Sequence, residues 1–133
     1  GLAEVKREGN DVTVVSFGKI IKEAYKAAEL LSSEGIECEI IDLRTVRPLD
    51  NKTIINSVKK TNRLVILEEA WPFGNVSTEI TYQVQSQAFD FLDAPIEKIN
   101  TADTPAPYSP VLLKEWLPNS NDVINSVKKV LYK

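Results

Sequence analysis

At 133 residues the chain has the length of one domain, able to bury roughly two-thirds of the surface its unfolded form would expose. A net charge of −3 offers no basic field for nucleic acid, and no run approaches the roughly 18 apolar residues of a membrane span. The absence of histidine removes the usual general base and the commonest metal ligand, and the lone Cys38 excludes an intramolecular disulfide and a cysteine-rich zinc site. That cysteine usage suits a reducing compartment, and no secretory signal opens the chain. The first residue is Gly1 rather than methionine, so the chain is expected to be a piece of a longer protein.

In chain order, Val12–Phe17 is a short β-branched and aromatic run between Asn10-Asp11 and Gly18, and reads as a strand. Ile20, Ala24, Ala27, Ala28 and Leu31 then draw one apolar stripe on a helix that Gly35 ends as a left-handed cap. Cys38–Leu43 is the second strand. Asp50 stands where it would cap a helix carrying Ile54, Ile55 and Val58. Leu64–Glu69 is a third strand, with the continuous apolar run of a strand buried on both faces. Trp71-Pro72-Phe73-Gly74-Asn75 breaks it, and a helix with Val76, Ile80, Val84 and Ala88 follows. Pro95–Asn100 is a fourth strand. A long loop, Thr101–Pro118, carries Tyr108 and Trp116, aromatics that call for cover from a partner surface or from the chain folding back. A final helix, capped by Ser120 or Asn121, buries Val123, Val127 and Val130. Strands separated by helices imply parallel neighbours with right-handed crossovers, hence an α/β fold: a three-layer α/β/α sandwich on a mostly parallel sheet.

Few residues offer chemistry. Glu68 and Glu69 stand at the carboxyl end of a strand, where open sheets place ligands, but adjacent strand residues point to opposite faces. One of them is expected to accept backbone N–H bonds from the next helix instead. Gly74 alone is no phosphate cradle and is expected to supply a turn. Arg44 and Arg47 could hold an anion, with Asp42 and Asp50 near enough to neutralise them. Cys38 reads as a small core residue, and Tyr25 and Tyr82 as half-buried. No set of nucleophile, base and oxyanion donor can be assembled. One charge feature stands out: from Asp90 to Asp103 four acids (Asp90, Asp93, Glu97, Asp103) face only Lys98, a local acidic surface able to steer a basic partner.

The segments EGNDVTVVSFG (Glu8–Gly18) and IECEIIDLRTVRPLD (Ile36–Asp50) resemble the carboxy-terminal domain of the transketolase superfamily. KKTNRLVILEEAWPFGNVSTEI (Lys59–Ile80), FDFLDAPIEKINTADTPAPYSP (Phe89–Pro110) and DVINSVKKVLY (Asp122–Tyr132) are similar to the matching parts of pyruvate dehydrogenase beta subunits. The likeness runs from Glu8 to Tyr132. Two positions depart from the pattern: only Gly74 remains of a glycine pair after Trp71-Pro72, and Ala70 stands where glycine is common.

The resemblance implies a single carboxy-terminal domain over residues 1–133, non-catalytic by itself, within the beta subunit of a thiamine-dependent enzyme. That enzyme decarboxylates a 2-oxoacid, pyruvate first among the candidates, and reductively acylates a lipoyl group. It implies a heterotetramer of two alpha and two beta subunits, with thiamine diphosphate and magnesium held outside this domain. It further implies an acidic docking surface for the basic peripheral subunit-binding domain of the dihydrolipoyl acyltransferase. Asp93, Glu97 and the carboxylate at Lys133 match that surface by position. The implied compartment is the bacterial cytoplasm or the mitochondrial matrix. Branched-chain 2-oxoacid or acetoin enzymes of the same family remain open, as does a free-standing interaction module.

Overall fold

The computed structural model describes residues 1–133. Ten regular elements alternate along it: β1 (Glu4–Arg7), β2 (Val12–Ser16), α1 (Ile21–Ser32), β3 (Cys38–Asp42), α2 (Asn51–Thr61), β4 (Leu64–Leu67), α3 (Val76–Ala88), β5 (Glu97–Ile99), α4 (Pro110–Trp116) and α5 (Ser120–Val130). One 3₁₀ turn, Phe89–Phe91, follows α3. The sheet order is β1-β3-β2-β4-β5, with β2 through β5 parallel and β1 antiparallel to β3. No helix is long and apolar enough to cross a membrane.

The strands are sandwiched because their side chains alternate between two covered faces. Val12 and Val14, Cys38 and Ile40, and Val65 and Leu67 meet α1 and α5 on one side. Val15, Ile41, Leu64 and Ile66 meet α2 and α3 on the other. An apolar run such as Leu64–Leu67 is therefore divided evenly between two cores, each large aliphatic side chain contributing roughly 1.5–3 kcal/mol on burial. The small side chains of Ala24, Ala27 and Ala28 on the inner face of α1 let α5 pack close beside it.

Three polar residues are buried in the strands: Ser16 donates to Leu67 O at 2.8 Å, and Thr13 and Glu39 find partners in α2. The Thr13 hydroxyl lies 2.6 Å from Ser57 Oγ and 2.7 Å from Thr61 Oγ1. Glu39, almost wholly buried, accepts from Ser57 Oγ at 2.7 Å and pairs with Lys60. No buried side-chain polar atom lacks a partner, which spares each the roughly 1–3 kcal/mol of an unsatisfied group.

The α/β/α architecture read from the sequence is the observed one, with local differences. Strand β1 adds to the elements read from the sequence. Glu4-Val5-Lys6-Arg7 is mostly charged, and it pairs only along the exposed edge of β3, where a half-solvated strand tolerates charge. The expected Thr101–Pro118 loop contains α4, whose Pro110 sits in the first turn, where a missing N–H does no harm. The last helix is capped by Asn119, not by Ser120 or Asn121: Asn119 accepts from the Asp122 amide and Asp122 from the Asn119 amide, a reciprocal box. Tyr82 is more exposed than expected, at 64%, whereas Tyr25, at 37%, is partly covered.

Asp50 caps α2 as expected, accepting from the Thr53 amide and hydroxyl and from the Ala3 amide. The Thr53 hydroxyl, more than the backbone donors, holds its carboxyl below the ordinary value of 3.8. A lowered folded-state pKa means stability present above the unfolded value and lost as pH falls through the folded one. Asp50→Ala is expected to cost about 1 kcal/mol at pH 7 in urea unfolding. The difference from wild type should shrink as pH drops below 3.8, and an undiminished difference there would contradict the charged cap. Cys38 is buried between sheet and helices, and burial pushes its thiol up to about 12. A thiol reagent at pH 8 should therefore label it no faster than the chain opens, and fast labelling of the native chain would refute the packing.

Candidate docking surface at the amino edge of the sheet

Parallel strands put all their starts at one edge, so β4 and β5 begin together there, with Glu97 opposite Val65. Helix α2 ends there because Asn62 takes a left-handed conformation, φ +65°. Its carbonyl accepts from the Asp93 amide at 2.9 Å, and its side-chain amide donates to Phe91 O at 2.8 Å. Arg63, next in the chain, donates through Nε to Val130 O at 2.9 Å and reaches Asp93 with Nη1 at 4.0 Å. The end of α5 is thus tied to the same corner. Tyr132, also left-handed at φ +59°, turns the last residues back. Its hydroxyl lies 3.4 Å from Asp93 O, and the Lys133 amide donates to Lys128 O at 2.8 Å.

The structure therefore gathers Asp93, Glu97 and the end of the chain on one edge. Two grooves flank the Ala94-Pro95 segment between them. One, about 540 Å³, is walled by Phe89, Leu92, Asp93, Ile96 and Tyr132. The other, about 250 Å³, is walled by Glu97, Lys129, Val130 and Tyr132. Lys133 lines neither. Phe89 and Phe91 stand exposed beside them, and Lys59 Nζ sits 5.3 Å from the Phe91 ring centroid, a contact worth about 0.5–1 kcal/mol at an exposed site.

The two carboxylates differ. The Asp93 side chain is 57% exposed, with its one cation at the limit of ion-pair distance. Glu97 is 23% exposed and already held by Lys129 at 3.2 Å. Exposed pairs are worth about 0–1 kcal/mol, so an incoming cation could displace either, and Asp93 more readily.

The acidic segment is not one surface. Strand β5 carries the chain across the sheet, so Asp103 emerges at the opposite edge from Asp90, Asp93 and Glu97. Lys98 neutralises none of them, since its Nζ donates to Pro72 O and Thr78 Oγ1.

The other candidates resolve as structural parts. Glu68 and Glu69 diverge as expected: Glu68 is fully buried and bonded to Ser77, while Glu69 faces solvent. Gly74 makes a turn with φ +69°. Asp42 does not neutralise the Arg44 guanidinium; it accepts from the Arg44 backbone amide, and the guanidinium lies 3.7 Å from Glu4. Asp50 is taken up by its capping role and leaves Arg47 without an ion pair, beside a cleft of about 610 Å³ with Asn75 and Glu79. Trp116 folds back, since its indole and that of Trp71 both donate to Thr104 O, at 2.8 and 2.9 Å. Tyr108 stays fully exposed.

No three His, Cys, Asp or Glu side chains converge on a point that could hold a metal ion, and no glycine-rich loop cradles a diphosphate. The residues present do not fit thiamine diphosphate or magnesium. Asn62, Arg63, Lys129 and Tyr132, which build the edge, are not singled out by the sequence. Asn62 alone carried a signal, as an asparagine just past a helical stripe.

The family model described as the carboxy-terminal domain of transketolase matches residues 1–123. A protein of Rickettsia felis named pyruvate dehydrogenase E1 component subunit beta is 52% identical over 132 residues, which is 99% of this chain and 40% of that protein. The mitochondrial protein of the same name from Dictyostelium discoideum is 47% identical, over 98% of this chain and 36% of its own length. A solved structure described as "split gene transketolase, inactive beta4 tetramer" superposes with a TM-score of 0.85 at 26% identity, covering 98% of this chain and 41% of that one. The chain thus spans about 40% of the length of the curated relatives it matches. Its fold and the match over residues 1–123 place it in one group: the chain belongs to the transketolase carboxy-terminal domain family.

Proposed function

We propose that this chain is the assembly and docking domain, residues 1–133, of a pyruvate dehydrogenase beta subunit, contributing no catalytic residue of its own. The parent subunit would pair with an alpha subunit and a second beta subunit. It would decarboxylate pyruvate and reductively acetylate a lipoyl group, with thiamine diphosphate and magnesium held elsewhere in the assembly. The cofactor supplies such chemistry and the protein its placement, so a domain without nucleophile or base has room for a purely architectural role. Relatives from bacteria and from mitochondria support placing it in the bacterial cytoplasm or the mitochondrial matrix. The structural neighbour described as a tetramer of beta chains supports self-association.

The observation that carries the docking role is the convergence of Asp93, Glu97 and the chain end on one edge, around grooves lined by Tyr132. An aromatic beside exposed carboxylates suits a basic partner with an apolar anchor. In the proposed complex that partner is the basic peripheral subunit-binding domain of the acyltransferase. A charged contact gives fast, salt-sensitive association, which suits a complex whose lipoyl arm must move between sites.

Calorimetric titration of this chain with that binding domain tests the proposal. Asp93→Lys is expected to weaken binding by about tenfold or more, equal to about 1.4 kcal/mol. Glu97→Lys is expected to weaken it less, because Lys129 already masks Glu97. The thermal midpoint of Asp93→Lys should stay near wild type, since only an exposed pair is lost. Undiminished binding by the double charge reversal would sink the docking role while leaving the family intact.

A further inference from the structure

Glu68 is a buried carboxylate that the proposed docking role does not use. It is 0% exposed, and no lysine or arginine lies within ion-pair distance of it. The other fully enclosed carboxylate, Glu39, has Lys60. A buried carboxylate without a cation is expensive unless its oxygens are filled by donors, and here both are. Oε2 accepts from the Ser77 amide at 3.2 Å. Oε1 accepts from Ser77 Oγ at 2.6 Å and from Asn100 Nδ2 at 2.7 Å. The first turn of α3 adds the favourable end of its dipole. An apolar residue would simply have extended the Leu64–Leu67 strand, so the acid must be accounted for by what it holds.

Those donors come from the start of α3 and the exit of β5, while Glu68 itself follows β4. Three segments of the carboxyl edge meet on one carboxylate. The turn they enclose, Trp71–Asn75, is held at its first three carbonyls. Asn75 Nδ2 donates to Trp71 O and, at 3.0 Å, to Phe73 O, while Lys98 Nζ donates to Pro72 O at 2.9 Å. Asn75 immediately precedes α3, and Lys98 lies in β5, two residues before Asn100. The Trp71 indole then fixes Thr104 O together with Trp116. All this order supports a turn whose Phe73 side chain is 90% exposed, so that side chain's own packing cannot be what shapes it.

We infer that Glu68 is a positioning residue: by joining α3, β5 and β4 it presets the Trp71–Asn75 turn and, through the two indoles, the Thr104 segment. A simple cap would stabilise α3 and leave the turn to itself. A positioning residue governs the order of groups it does not touch. Glu39, equally enclosed but bonded to Gly9 and α2, provides the matched comparison.

The test is amide and indole hydrogen exchange by NMR on this chain, with Trp71→Phe and Trp116→Phe assigning the two indole signals. In Glu68→Gln one oxygen becomes an N–H donor facing donors. The Ser77 amide and both indole N–H groups are expected to exchange at least tenfold faster. Glu39→Gln is expected to leave the indoles unchanged, even where it lowers the thermal midpoint as much. Ser77→Ala, which removes one donor and keeps the amide, is expected to shift the indoles in the same direction by less, and stands in if Glu68→Gln does not fold. Indole exchange unchanged in the folded variants, or raised equally by Glu39→Gln, would overturn the inference.

Discussion

The constraint from which the rest follows is that four parallel strands must be covered on both faces. Parallel neighbours require a crossover for every strand, and the crossovers α1, α2 and α3 provide the cover, with α5 completing one side. Once both faces are closed, the polar backbone groups of every loop can reach water only at the two edges. Function is pushed to those edges for the same reason. The amino edge collects the starts of β4 and β5 and the end of α5, and with them Asp93, Glu97 and Tyr132. The carboxyl edge collects the turns after β2, β3, β4 and β5, and with them Arg47, Trp71, Phe73 and Tyr108.

Two buried carboxylates make this sandwich specific, in different ways. Glu39 belongs to an extended polar run, from Gly9 through Thr13 and Ser57 to Lys60, that fixes α2 against β2 and β3. A slip of one residue in either strand would put Thr13 or Glu39 into the aliphatic core on the α1 face, with no donor available. Glu68 is placed where strand gives way to loop, and its donors come from segments distant in sequence. One acid thus specifies register inside the sheet, and the other specifies the arrangement of what leaves it.

Most of this was legible where a pattern repeats. The aliphatic stripe from Ala24 to Leu31 and the one from Val123 to Val130 have no reading other than helix. Leu64–Leu67, apolar at every position, has to be a strand covered twice. What stayed hidden was set by contacts between distant residues. Strand β1 exists because β3 has a free edge, and nothing in Glu4-Val5-Lys6-Arg7 announces it. Helix α4 hides behind prolines that punctuate the segment yet are harmless in a first turn. On the amino edge, Asp93 and Glu97 were visible as charges, but their separation from Asp103 was not. Charge counted along a sequence ignores that five residues of extended chain span roughly 17 Å and cross the whole sheet.

That crossing also sorts the acidic residues by what each can do. An acid steers a partner through its field, which decays over about 8–10 Å at physiological salt, so carboxylates on opposite edges cannot act on one cationic surface together. Asp90, Asp93 and Glu97 can. Within that group, Glu97 carries a resident cation, and its charge is felt at a distance only as part of a dipole with Lys129. Asp93, with Arg63 drawn off towards Val130 O, keeps more of its charge unpaired. Arg63 is therefore the residue on which the polarity of this edge turns. By donating to the end of α5 it both fixes the chain terminus beside the grooves and leaves Asp93 incompletely paired.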